Sequence, residues 1–379
     1  MTRFHRDRPT IYAYLAMFMY VWGLYGMGPA LLLIRDDSGM SRTVASLHST
    51  ATALGFLIIG TIGPRITARL GRATTIRIGT LAIGLGIAFV ALGGTPALSI
   101  PGALGIGLGG SLALNGLNAF LAVHHGANGA AAVSEGAGMS MLAGLASPLV
   151  LGAFVDRGID WRFALLLAVA GLLIADRLRG DAEVLNEGFH PTSASRGHLP
   201  ALYWWAWVAI ALCIGVEFSF VMWAGDVLRD QSDASVSLAA ASLTAVAAGM
   251  AAGRFSIPVL LRRLHVETAF RVSIILPLIM WFPMWLSHNP AVILTCMITI
   301  GIGIGFHYPL SLARMVAASG GQADLANTRS SLASGAAIAI APLALGALAD
   351  AVGLHTAFAA VPVMLALAAI ATFPHRIDA

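Results

Sequence analysis

The chain has 379 residues, of which 58% are hydrophobic and 11% charged, with a mean hydropathy of +0.82. An ordinary soluble domain carries roughly 25% charged residues, so this chain cannot cover a water-facing surface. Its composition excludes a cytosolic enzyme and a nucleic-acid-binding domain, despite an isoelectric point near 9.5. The 22 basic residues are all arginine, and the two cysteines, Cys213 and Cys296, lie in apolar runs and imply no disulfide framework.

Apolar runs of about 20 residues read as membrane-spanning helices, because hydrocarbon demands that backbone polar groups be paired within the segment. Twelve are predicted, and two tails and eleven short loops use up the remaining chain. The first, 10–34, carries Tyr20, Trp22 and Tyr25. Trp22 and Tyr25 are candidate substrate contacts, with an aromatic interface belt as the plainer reading. The second, 43–63, contains a lone His48 and leads into a basic loop with Arg65, Arg69 and Arg72; the third is 74–93.

The fourth span, 97–123, contains Gly105-Ile106-Gly107-Leu108-Gly109-Gly110. This matches a dinucleotide-binding pattern, but without a preceding strand it reads as close helix packing. Asn115 and Asn118, three apart on one face, either line a cavity or bridge neighbouring helices. The fifth span, 130–154, begins near Glu135, and the sixth, 160–176, follows Asp160-Trp161-Arg162-Phe163. The longest polar stretch, 177–199, divides the spans six and six.

In the seventh span, 203–226, Glu217 lies near the middle of an apolar run. An ionisable group at that depth is costly and marks function. Apolar surroundings favour the protonated form of a carboxyl, which suits a proton carrier. The eighth span, 236–260, leads into Arg262 and Arg263, and the ninth is 267–287. The tenth, 291–317, places His307, Ser311 and Arg314 at i, i+4 and i+7 on one face, with Tyr308 beside them. These four and Glu217 are candidate substrate contacts, and His307 is a second candidate proton site. The eleventh, 327–349, begins at Arg329, and the twelfth is 354–373. No His/Cys cluster has metal-ligand spacing and no hydrolytic constellation is present, so neither a metal, a cofactor nor an enzymatic activity is expected.

The two halves are a parallel duplication. Adding 194 carries Gly55 to Gly249, Arg69-Leu70 to Arg263-Leu264, Arg77 to Arg271, Pro96 to Pro290, Gly107 to Gly301 and Asp156 to Asp350. The first span therefore belongs to the fold and is not a cleaved leader. Fourteen arginines fall on one side of the expected membrane and five on the other, which puts both termini in the cytoplasm.

Two six-helix halves, a charged central loop and basic loops after spans 2 and 8 resemble the major facilitator superfamily. That family carries Gly-x-x-x-Asp-Arg-x-Gly-Arg after its second helix. The stretch Pro64-Arg65-Ile66-Thr67-Ala68-Arg69-Leu70-Gly71-Arg72 keeps the Arg-x-Gly-Arg end, with Pro64 and Ala68 replacing the leading Gly and the Asp. The resemblance implies an all-α membrane protein of two pseudosymmetric bundles, 1–176 and 203–379, joined by a cytoplasmic loop at 177–202. It also implies a midplane cavity lined by spans 1, 4, 7 and 10 and exposed alternately to either side. Spans 2, 5, 8 and 11 would then form the gates. The cytoplasmic gate would draw on Arg69, Arg72, Glu135, Arg262, Arg263 and Arg329, with Glu135 pairing Arg262.

The resulting expectation is a monomeric secondary transporter of the inner membrane that moves a small organic solute and is coupled to protons, with no nucleic acid as partner. Export of an amphipathic compound is preferred. The alternatives are uptake of a small organic anion, with His307 and Arg314 as its cationic partners, and a sensor or scaffold without transport.

Overall fold

A computed structural model describes residues 5–126, 129–186, 198–320 and 323–372. Arg3, Arg196 and Arg376, which contribute to the arginine bias, and residues 187–197 of the central loop lie outside the described residues.

Among the described residues the chain is helical throughout, without strands. The helices are α1 (Arg8–Ser38), α2 (Arg42–Leu70), α3 (Arg72–Leu92), α4 (Pro96–His124), α5 (Gly129–Asp156), α6 (Arg162–Leu178), α7 (Ala182–Leu185), α8 (Ala201–Ser232), α9 (Val236–Leu260), α10 (Val266–Leu286), α11 (Pro290–Ala317), α12 (Ala323–Val352), α13 (Leu354–Ala357) and α14 (Ala360–Thr372). Eleven of the segments are long and apolar enough to cross a membrane, with α13 and α14 counted as one. The twelfth, α6, has 17 residues, at the short end of the about 17–25 that span a bilayer.

Several helices outrun their apolar runs: α1 continues to Ser38, and α2 continues through Arg65 and Arg69 to Leu70. Hydropathy marks membrane depth, whereas the backbone ladder runs on until a cap stops it. The last span is broken between α13 and α14. Pro362 has no N–H to offer the carbonyl of Phe358, and Val361 N bonds that carbonyl instead in a tighter turn.

The duplication is visible in the helix limits. Arg42 and Val236 begin α2 and α9, Arg72 and Val266 begin α3 and α10, and Pro96 and Pro290 begin α4 and α11, each pair 194 apart. α1 and α8 both end on a left-handed residue, Gly39 and Asp233, at the same offset. The matched glycines have a packing reason. A Cβ on Gly107 of α4 would strike the backbone of Thr52 on α2, and one on Gly301 of α11 would strike that of Val246 on α9. The glycine run of α4 serves three neighbours, since Gly109 abuts Gly79 of α3 and Gly110 the ring of Tyr20 on α1. That run sits in mid-helix with no strand before it.

The chain forms two compact units. One comprises residues 1–40 and 51–193, the other 41–50 and 194–379. In the first, α1 packs on α5 and α6, and α3 on α4 and α6. In the second, α8 packs on α12, α14 and α11, and α11 on α9 and α10. The second unit also holds the first turns of α2, whose free N–H groups are capped by Asp350 of α12. Its carboxylate accepts from Arg42 N at 3.0 Å, Thr43 N at 2.8 Å and Thr43 Oγ1 at 2.6 Å.

Candidate functional site

The second unit gathers the ionisable groups of greatest interest. Glu217 sits in the middle of α8 with 7% of its surface exposed. Its Oε1 lies 3.7 Å from Nη2 of Arg254 on α9, whose side chain is about one-third exposed. The carboxylate is thus shut away while the Arg254 side chain stays partly exposed. Arg254 interrupts the apolar sequence of α9. A cation inside such a run is the signal that Glu217 has a partner.

The polar face of α11 is directed into the unit. His307 is fully buried, and its Nε2 lies 2.9 Å from the carbonyl oxygen of Ser273 on α10. Its Nδ1 and the Ser311 hydroxyl are buried without a hydrogen-bond partner. Tyr308, one residue on, points outward and is 40% exposed.

Arg314 is 1% exposed and does not reach toward headgroups. Its Nε and Nη2 donate to the two carboxylate oxygens of Glu267 on α10, at 2.8 and 3.1 Å. Its guanidinium lies over the ring of Phe270, 4.7 Å from the centroid, and Arg271 approaches the same carboxylate at 3.9 Å. Arg314 is one arm of a fork-to-fork pair that ties α11 to α10, because Glu267 one helix away matches its planar geometry. Glu267 was missed because it stands beside a polar loop, where a carboxylate looks solvated.

In the first unit, Trp22 packs between helices. Its Nε1 donates to the carbonyl of Ala164 on α6 at 2.8 Å, and its own carbonyl accepts from Ser147 of α5 at 2.8 Å. Tyr25 is buried, with its ring against Gly144 of α5. Asn115 is exposed and Asn118 half-buried, and Asn118 Oδ1 has no hydrogen-bond partner. The two amides share a face, as their spacing requires.

The basic residues expected at a gate separate into different roles. Arg69, Arg262, Arg263 and Arg329 are exposed. Arg72 is buried and anchors the start of the central segment, its Nε donating to Leu185 O while Asn186 Oδ1 accepts from Ala73 N. Glu135, expected to meet Arg262, is held within its own unit by Arg6, whose Nε lies 2.7 Å away. The partner was missed because it comes from the polar residues ahead of α1.

Beside that pair, Asp7 caps α1. Its Oδ1 accepts from Thr10 N at 3.0 Å and Thr10 Oγ1 at 2.6 Å, and its Oδ2 meets His124 Nε2 at 2.7 Å. Burial alone would raise the Asp7 carboxyl, but the hydrogen bonds from Thr10 and His124 outweigh it and hold the group below its ordinary value. His125 is pushed down by burial and by the neighbouring His124. Both groups bind protons more weakly folded than unfolded, so each contribution is present above the unfolded value and lost as pH falls through the folded one. Acidification from about pH 7.5 to about 5 should begin to loosen this corner through His125, with Asp7 following at lower pH. Hydrogen exchange of the first turn of α1 reports it directly. Asp7→Ala should speed that exchange at neutral pH, at a cost of about 1 kcal/mol.

A duplicated, all-helical bundle with enough apolar segments to cross a bilayer twelve times defines a polytopic membrane protein. Its few buried charges are arranged within the bundle. The sequence signature of the Major Facilitator Superfamily matches residues 13–327, and the chain belongs to that family; it is a transporter and not an enzyme. Among solved structures it is similar to a bacterial homologue of the human lysosomal transporter Spinster in its inward-facing, unoccupied conformation. That likeness has a TM-score of 0.75 and 14% identity, over 98% of this chain and 97% of that one. The occupied form of the same homologue gives 0.73 at 14% identity, over 98% and 97% of the two chains. A variant of the E. coli fucose:proton symporter gives 0.61 at 16% identity, over 98% and 100%. At these identities the likeness shows the fold. A comparison with curated protein sequences finds no match.

Proposed function

We propose that the protein is a proton-coupled secondary transporter of the inner membrane, with Glu217 as the proton site and Arg254 as its counter-ion. The observation that carries this reading is their pair: a carboxylate enclosed in an apolar helix, 3.7 Å from the guanidinium of a partly exposed arginine on the next helix. Proton binding neutralises Glu217 and ends its attraction to Arg254, which loosens the tie between α8 and α9. Proton loss restores the pair. A charge that switches at a fixed place is what a two-state element needs in order to feel a proton gradient.

In this reading bundles 1–176 and 203–379, joined through 177–202, alternate access as a monomer, with both termini in the cytoplasm. The substrate is an amphipathic organic compound, and the direction is export. The anion-uptake alternative needs free cations on α11, whereas Arg314 is engaged by Glu267 and His307 by the Ser273 carbonyl. Proton symport by the neighbour named as the fucose:proton symporter supports coupling, though not a sugar substrate.

The test uses the full chain in proteoliposomes, with ethidium as an amphipathic probe and an imposed acid-inside gradient. Wild-type vesicles should accumulate ethidium, while Glu217→Gln vesicles should lose accumulation yet still exchange ethidium across the bilayer without a gradient. Accumulation unchanged in Glu217→Gln would remove Glu217 from the coupling step. If small carboxylates accumulate under the reversed, acid-outside gradient and ethidium accumulates under neither, the substrate class is wrong.

A further inference from the structure

The second unit carries an open groove of about 760 Å³ between α12 and α14, with α8 as its floor. Its walls are almost wholly hydrocarbon. The indole N–H of Trp207, which lines one end, is already donated to the backbone oxygen of Arg329 at 2.9 Å. Thr356 supplies the one side-chain hydroxyl of the lining. A ligand here gains nothing by hydrogen bonding and everything by burying an apolar chain.

The duplication shows how the groove arises. At the 194-residue offset, the first half holds the larger residue along the same seam. Met17 stands where α8 has Ala211, Phe18 where it has Leu212, and Val21 where it has Gly215. On α12, Leu142 is replaced by Ala336, Val150 by Ala344 and Phe154 by Leu348. Only Trp207, Ile340 and Met364 are clearly larger than their counterparts, Ala13, Ala146 and Ala170. The second half has therefore shed side-chain volume along one helix junction while keeping its helices in register.

One end of the groove offers charge. Arg329 precedes Ala336 by seven residues, two turns along the same face of α12 and roughly 10 Å away. It is exposed and, among the described residues, makes no ion pair. Trp204 and Trp205, both about half exposed, stand close by in the first turn of α8, a composition suited to the headgroup level.

We propose that this groove is a binding site for a resident anionic phospholipid, with one acyl chain along α8, α12 and α14 and the phosphate at Arg329. The lipid comes from the bilayer and is not the transported compound. The site is independent of the Glu217–Arg254 pair, so it stands or falls apart from the proton-coupled reading.

The experiment is native mass spectrometry of the full chain, taken from vesicles of equal parts phosphatidylglycerol and phosphatidylcholine into mild detergent. Wild type should retain phosphatidylglycerol. Writing the first half's residues into the groove, as Ala211→Met, Ala336→Leu and Ala344→Val together, should abolish retention and leave the unfolding temperature unchanged or higher. Arg329→Gln should keep the site but reduce the preference for phosphatidylglycerol by about fivefold, the worth of one cation at the membrane surface. A filled variant that folds and still retains lipid would overturn the proposal, as would a wild-type protein that holds none. Should ethidium in excess strip the lipid from the wild-type protein, the groove belongs to the transported compound and the resident assignment fails. If the triple variant does not fold, Ala344→Val alone decides, with reduced retention expected.

Discussion

Arg314→Met is expected to destabilise the second unit by about 3 kcal/mol, since removing one partner of a buried pair strands the other. Glu267 would keep only Arg271, 3.9 Å away, and Phe270 would lose the guanidinium lying over its ring. Glu267→Gln should cost at least as much, because Arg314 is the more deeply enclosed of the two. Arg314→Lys should recover part of the loss, as a point charge cannot form the fork made to both carboxylate oxygens. The double variant Arg314→Met with Glu267→Met should lie closer to wild type than either single one, because no charge is left stranded. Unfolding by a denaturing detergent in mixed micelles measures all four. A stable Arg314→Met protein that has lost affinity for organic anions would return Arg314 to the substrate site.

The fold was legible because its determinants are local and repeated. Length of apolar run, absence of alternation and a constant 194-residue register each follow from nearby residues, and the glycines that hold register are those where helices cross. The candidate site was legible only in outline. The cost of a carboxyl in mid-membrane singled out Glu217 without its partner. That partner sits on the next helix, at a depth that depends on how α8 and α9 pack. For α11, periodicity put His307, Ser311 and Arg314 on one face, but period alone does not say which neighbour that face meets. It meets α10, where Arg314 pairs with Glu267 and His307 with the Ser273 carbonyl. The carbonyl on α6 that takes the indole N–H of Trp22 was hidden for the same reason. The pairs Arg6–Glu135 and Asp7–His124 join residues more than a hundred positions apart in sequence, beyond the reach of any local pattern.

The second large effect concerns Arg254. Arg254→Met leaves Glu217 enclosed among apolar residues without its counter-ion, a state that buried charges do not tolerate. The expected result is loss of gradient-driven ethidium accumulation to the level of protein-free vesicles. The informative step is to remove the charge on both sides. Glu217→Gln with Arg254→Met leaves no charge stranded between α8 and α9, so it should fold as well as wild type and exchange ethidium without a gradient, but fail to concentrate it. Arg254→Lys separates the roles further: a compact cation preserves the sign of the pair but not its reach, so accumulation should survive at a reduced rate. Were the pair only a fastening between α8 and α9, the neutral double variant would still concentrate ethidium against its gradient. Coupling and fastening thus predict opposite outcomes for one protein that carries no strain from a stranded charge.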